Sequence, residues 1–222
     1  MDRRGVRWVG VGVASATALL VLGDRTAHYA VERVVAGRIQ DCLGTPDRPA
    51  VGIAGFPFLP HLVRREFDTV TMSARDVNAG GVRVGELRAD LHGVRQQGDG
   101  AKVDSLAGTG LVTYDDLSAM APGVRISYGG EGRIRVDAGF SVLSVSATAR
   151  PRIVGDAVVL EPEQLTSGLT GVLDVGALPS ISYRLRDLPA GVRVDMDPTE
   201  RGVEFAFDGT DVAVAQTACS AS

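Results

Sequence analysis

The polar group with the most legible chemistry in this 222-residue chain is His61, Arg64 and Arg65, which follow directly on Phe56, Pro57, Phe58, Leu59 and Pro60. A guanidinium is a planar fork that donates two hydrogen bonds at once to a phosphate or carboxylate. Beside the apolar wedge of Phe56, Pro57, Phe58, Leu59, Leu62 and Val63, such cations suit a ligand that is anionic at one end and apolar at the other. Exposed arginine is equally ordinary on a solvated turn. Residue type leaves both readings open.

Catalytic chemistry has little to work with. A reaction centre needs an acid, base, nucleophile or metal set at workable spacing. His28, His61 and His92 are far apart, with no H-x-H or H-E-x-x-H pattern, so a zinc site is not expected. No G-x-S-x-G marks a hydrolase nucleophile, and no G-x-x-x-x-G-K-[ST] marks a phosphate loop. Gly129, Gly130 and Gly132 lie between two strand-like runs, where a nucleotide loop requires a helix to follow, and are read as a turn. Asp115 and Asp116 are adjacent, hence divergent, and suit a helix N-terminus because of its dipole. The expectation is a non-enzymatic protein with no metal or cofactor.

The elements that must hold the wedge are written in the hydrophobic periodicity. Val51 and Ile53 alternate, Gly55 breaks the pattern, and alternation resumes with Phe67, Thr69, Thr71 and Ser73 against Val70 and Met72. Strand, apolar turn, strand is the prediction. Pro57 and Pro60 fix φ and remove two backbone donors, which keeps the aromatic segment out of any sheet ladder as a rigid corner. Turns ordinarily carry Gly, Asn, Asp and Ser at the surface. One holding two phenylalanines and a leucine either plugs the end of an ordinary core or offers them to something apolar.

Ahead of this hairpin, residues 24–43 place Ala27, Ala30, Val31, Val34, Val35 and Ile39 at the spacing of an amphipathic helix. Asp24 can cap its start and Gly44 and Pro46 its end, or, if the preceding segment is not cleaved, the helix continues that segment outward; Glu32 and Arg33 are solvated charges. After the hairpin come strand-length runs punctuated by glycine. A change of phase near Gly85 and Glu86 predicts a β-bulge. Residues 115–120 read as one helical turn, and Pro151 with Gly155 and Asp156 separates two strands. Asp208 and Gly209 separate two more, and a short helix is placed near residues 172–178.

One helix and nine or more strands with short turns imply an α+β fold, a large curved antiparallel sheet on a long N-terminal amphipathic helix. Strand interiors are rich in small residues and aromatics are 5% of the chain, so such a sheet has difficulty filling its interior. Room for an apolar guest and a plain compositional bias toward Ala and Val account for this equally well.

The net charge is −4, and the first 23 residues hold Asp2 against Arg3, Arg4 and Arg7, so the remaining body, residues 24–222, carries −6. A mildly acidic body argues against nucleic acid, which needs a basic face. Those arginines precede an uncharged run, residues 8–23, in the layout of an export signal. The run is shorter than the roughly 20 residues that cross a bilayer comfortably. Residues 1–23 are read as a signal peptide or a signal anchor, with a single domain at 24–222. The chain is therefore expected in the periplasm or cell envelope. In an exported chain the even pair Cys42 and Cys219 is read as a disulfide staple.

Three segments resemble the actinobacterial LmeA-like phospholipid-binding family: V-G-I-A-G-F-P-F-L at residues 51–59, V-D-S-L-A-G-T-G-L at 103–111 and P-A-G-V-R-V at 189–194. The likeness covers nearly all the chain after the signal, and G-F-P-F-L is its most specific part. It implies a tubular lipid-binding-like architecture, with the sheet wrapped on the helix. It also implies binding of anionic, phosphatidylinositol-type phospholipid in a mycobacterial-type envelope, and a part in maturing mannosylated lipids. Gly55, Phe56, Pro57, Phe58 and Leu59 carry over as a motif, and no catalytic residues do. The expected partners are phospholipid and a membrane surface, the lipid being carried or presented during envelope lipid or lipoglycan assembly. A scaffold for envelope glycosyltransferases is the alternative.

Overall fold

A computed structural model describes residues 3–79, 82–98, 100–120, 122–140, 143–155, 157–165, 181–184 and 189–215. Alternating apolar residues produce eleven strands among them, all paired antiparallel. The first sheet uses β1 (Ala50–Ala54), β2 (Glu66–Ala79), β3 (Val82–Gln97), β4 (Gly100–Val112), β10 (Val192–Thr199) and β11 (Gly202–Ala215), in the order β1-β2-β3-β4-β11-β10. The second runs in sequence order through β5 (Val124–Gly130), β6 (Arg133–Phe140), β7 (Leu143–Val154), β8 (Ala157–Leu165) and β9 (Ile181–Arg184). Three helices accompany them: α1 (Arg3–Leu43), α2 (Phe58–Arg64) and α3 (Tyr114–Ala119). The expected α+β class, mainly antiparallel sheet with an N-terminal helix, is present.

Two features of the helix bear on its expected form. It runs unbroken through Gly23 and Asp24, the continuous one of the two readings, so Asp24 does not cap it. Its covered stripe is also turned in part: of the expected apolar residues Ala27, Val31, Val35 and Ile39 are half-buried, but Ala30 and Val34 are exposed, while Asp24 and Ala36 are buried and His28 and Glu32 half-buried. The physical reason is that polar groups on the neighbouring hairpin need partners, and Asp24, His28 and Glu32 supply them at intervals of one turn. At the other end Leu43 packs on a cluster of Ala74, Val77, Val84 and Val112 from the first sheet.

Sheet details refine the reading of the strands. The phase change at Gly85 involves no slip, since Arg75 faces Glu86 and Val77 faces Val84 in one register. Instead Asp76 adopts φ 52 and is gripped by Arg83 at 2.8 Å, which turns the next side chain onto the inner face. Asp208 and Gly209 do not end a strand; β11 continues through them. Pro151 likewise lies inside β7. It faces Leu160 of β8 while the β6 pairing has ended at Ala149, so no ladder bond on that side is lost to the missing N–H. On β4, Gly108 and Gly110 lie beneath the rings of Phe207 and Phe205, where an added Cβ would come within 2.2 and 2.1 Å of ring carbons. The small residue thereby makes room for the large one across the ladder.

The sheets meet through α3 and β10. Thr113 caps α3 by accepting from the Asp116 N–H at 3.2 Å, with Asp115 and Asp116 in the first turn as expected. Tyr114 donates its hydroxyl to the Thr199 carbonyl at 2.6 Å, and burial pushes its pKa up to about 12, which keeps it a donor. Around it Ile134, Ala149 and Val203 form a second apolar cluster with Leu117 and Met196. The short helix expected near residues 172–178, and Cys219, lie outside the described residues.

Candidate functional site

The aromatic corner is built from α2 and the last turn of β1. Its expected apolar turn is in fact a seven-residue helix of about two turns, which Pro57, extended at φ −70 and ψ 139, leads into at Phe58. Pro60, third in that helix, lacks an N–H that the first turn would leave unpaired in any case. Arg65 ends α2 at φ 57, donating its N–H to the Leu62 carbonyl at 3.2 Å. Gly55, at φ 144, has the His61 ring against it, and this backbone conformation suits glycine alone.

Asp24 supplies the cap that Pro57 cannot. Its buried carboxylate accepts the Leu59 N–H at 2.8 Å. Hydrogen bonds from the Phe58 and Leu59 amides hold its pKa below the ordinary aspartate value, with smaller help from Arg25 and His28 and against the opposing effect of burial. One turn on, His28 Nε2 lies 2.7 Å from the Ile53 carbonyl and 3.2 Å from Glu32 Oε1. Both neighbours are acceptors, so Nε2 carries a proton. Glu32 Oε1 in turn accepts the Ile53 N–H at 2.9 Å. Glu32 is thus a structural acceptor and not the solvated charge expected from its sequence position. These three residues clamp β1 and α2 to α1. The sequence reading gave Asp24 and Glu32 other roles and did not group the three, yet their spacing of four was visible, since it places 24, 28 and 32 on one helix face.

The wedge divides into an inner and an outer half. Phe58 is 1% exposed, with its ring 4.9 Å from His28 and 6.0 Å from Phe67. It is a core plug. Phe56 is 61% exposed, and its ring lies under the Arg25 guanidinium at 5.6 Å. Leu59 and Val63, four residues apart on the outer face of α2, are also exposed, Val63 to 82%. Leu62 and His61 are half-buried, and Pro57, Arg64 and Arg65 are exposed. All nine sequence-derived candidates therefore share one corner, but Phe58 and Phe56 face opposite ways.

A separate cavity of about 280 Å³ lies on the first sheet across β3, β4, β11 and β10. Its lining includes Glu86, Arg88, Asp195, Asp197, Arg201 and Glu204. That mixture of charges does not suit an acyl chain. Among the described residues no group of three or more His, Cys, Asp or Glu side chains converges on a metal-sized site, and no helix is long and apolar enough to cross a membrane.

An antiparallel α+β body with an N-terminal helix, showing an apolar and cationic corner to its surroundings, has the makings of a binding protein for amphipathic ligands. The chain belongs to the LmeA-like phospholipid-binding family, whose sequence model matches residues 22–207. No curated protein sequence and no solved structure matches it.

Proposed function

We propose that this protein is exported by its N-terminal segment and binds an anionic phospholipid of the phosphatidylinositol type. It shields the acyl chains between α1 and the first sheet, and carries or presents the lipid during envelope lipid or lipoglycan assembly. The sheet in this reading cradles the helix in the tubular manner that the family resemblance implies. The observation that carries the proposal is the turned helix: in a member of a phospholipid-binding family, Val34 is 56% exposed and Tyr29 and Ala30 are exposed beside it. A helix normally hides such residues against its own sheet, and hydrocarbon would cover them at a gain of roughly 25 cal/mol per Å². The lipid-binding character of the family accords with a role without catalysis.

The test is to purify the full chain without detergent, extract it with organic solvent and identify the lipid by mass spectrometry. Near-stoichiometric anionic phospholipid is expected, with uptake reduced several-fold by Val34→Asp while the circular dichroism spectrum is unchanged. An empty protein that takes up nothing from anionic vesicles overturns the reading. Crosslinking to one stable envelope glycosyltransferase in place of lipid would favour the scaffold instead.

A further inference from the structure

We propose that Phe56, Leu59 and Val63, with Leu20 of α1, form a docking surface that enters the headgroup region of an anionic bilayer, separately from any lipid held by the body.

Four observations carry this. First, all four side chains are exposed although large and apolar, and the corner that carries three of them is tied to α1 by the Leu59 N–H bond to Asp24, the His28–Phe58 ring contact and Arg25 over Phe56. Leu20 stands one helical turn before Asp24 and Leu59 is fixed beside it, so the apolar tips share a level along α1. Second, that level is where the charge pattern changes. Residues 8–23 carry no charge, and Asp24 and Arg25 are the first charged side chains after them on the same unbroken helix.

Third, cations rim the apolar tips. Arg25 lies over Phe56, and Arg64 and Arg65 follow on the exposed end of α2. Asp24, the acid nearest them, is already engaged by the α2 amides. Fourth, the exposed tips stand on a fixed base, since Phe58 between Phe56 and Leu59 is turned inward and 1% exposed.

A layer that is apolar on one side, polar on the other and negatively charged between them matches this arrangement. Aromatic and aliphatic tips sink to the acyl boundary, and arginine stems lie along it with their heads at phosphate level. A protein partner fits less well, because the apolar character does not stop at a patch but continues along α1 for the whole charge-free run.

The probe is the full chain carrying Trp8→Phe, which removes its single tryptophan, with a new tryptophan at one position: Phe56→Trp, Val63→Trp, or Val154→Trp on the second sheet as control. Each is mixed with vesicles containing phosphatidylglycerol brominated near the headgroup end of its acyl chains, or with the matching phosphatidylcholine. Strong quenching at 56 and 63 in the anionic vesicles is expected, with several-fold less in phosphatidylcholine and none at 154. Adding Arg64→Glu and Arg65→Glu should lower the quenching at 56 several-fold and shift the remainder to lower salt.

Co-purifying phospholipid is measured on the same samples. Quenching lost with lipid content kept confirms a docking surface distinct from the binding site. Quenching kept in a protein that carries no lipid leaves docking standing and removes the carrier reading. Equal quenching at 56, 63 and 154, or none at 56 and 63, overturns the proposal. So does a fall of lipid content in parallel with quenching, which would make the corner the mouth of the lipid site. A blue shift at 56 and 63 that follows protein concentration and ignores vesicles assigns the surface to a second copy of the chain.

Discussion

Asp24 shows how one side chain links two elements that the sequence keeps 35 residues apart. Backbone amides hold its pKa below the ordinary aspartate value, so it contributes stability that is complete above about pH 4 and fades as pH falls through the lowered value. Asp24→Asn should melt at a lower temperature than the native protein at pH 7. The gap should close in acid, where the native carboxyl is protonated too. Thermal melts of both proteins across that range check this, and a gap independent of pH would mean that shape, not charge, is what Asp24 provides. The expectation that Asp24 begins a helix rested on its place after an uncharged run. It is a cap, but for the other helix, and no one-dimensional pattern states which helix an acid serves.

At the scale of elements, α2 makes a two-sided claim that mutations separate. Phe58→Ala removes a fully buried ring and should cost about 3–5 kcal/mol of unfolding free energy in denaturant titrations. Phe56→Ala removes an exposed ring and its contact with Arg25, and should cost no more than about 1 kcal/mol. Similar losses for the two would contradict the division of the wedge.

Most strands were legible because alternation with period two survives in the sequence wherever one face is covered. Two boundaries were not. Pro151 reads as a breaker only until it is known that no β6 partner faces it, and Asp208-Gly209 reads as a turn only until β4 is seen pairing on both sides of it. The stripe on α1 was misread for a related reason. Hydrophobicity alone placed Val34 inward, whereas satisfying the Ile53 amide and carbonyl placed Glu32 and His28 there. The corner itself was found from composition, since two prolines around two aromatics leave few alternatives, but which ring faces inward depends on contacts with residues 28 and 67.

For the whole molecule, the expected bond between Cys42, at the end of α1, and Cys219 joins the helix to the far end of the chain. Protein purified without reductant should be lighter by two hydrogens than its reduced form, and Cys42→Ser with Cys219→Ser should lower stability by about 2–5 kcal/mol. Equal masses before and after reduction would dismiss the staple. The two sheets depend little on it, because α3, β10 and the Tyr114 bond already join them.

The first strand has a further property as a border. β1 is the outermost strand of its sheet, and outermost strands invite strangers to add themselves to the row. Here the invitation at Ile53 is withdrawn, its amide and carbonyl being occupied by Glu32 and His28. Any newcomer strand would have to peel α1 away first, so whatever loosens that helix also uncovers a place where copies of the chain stick together.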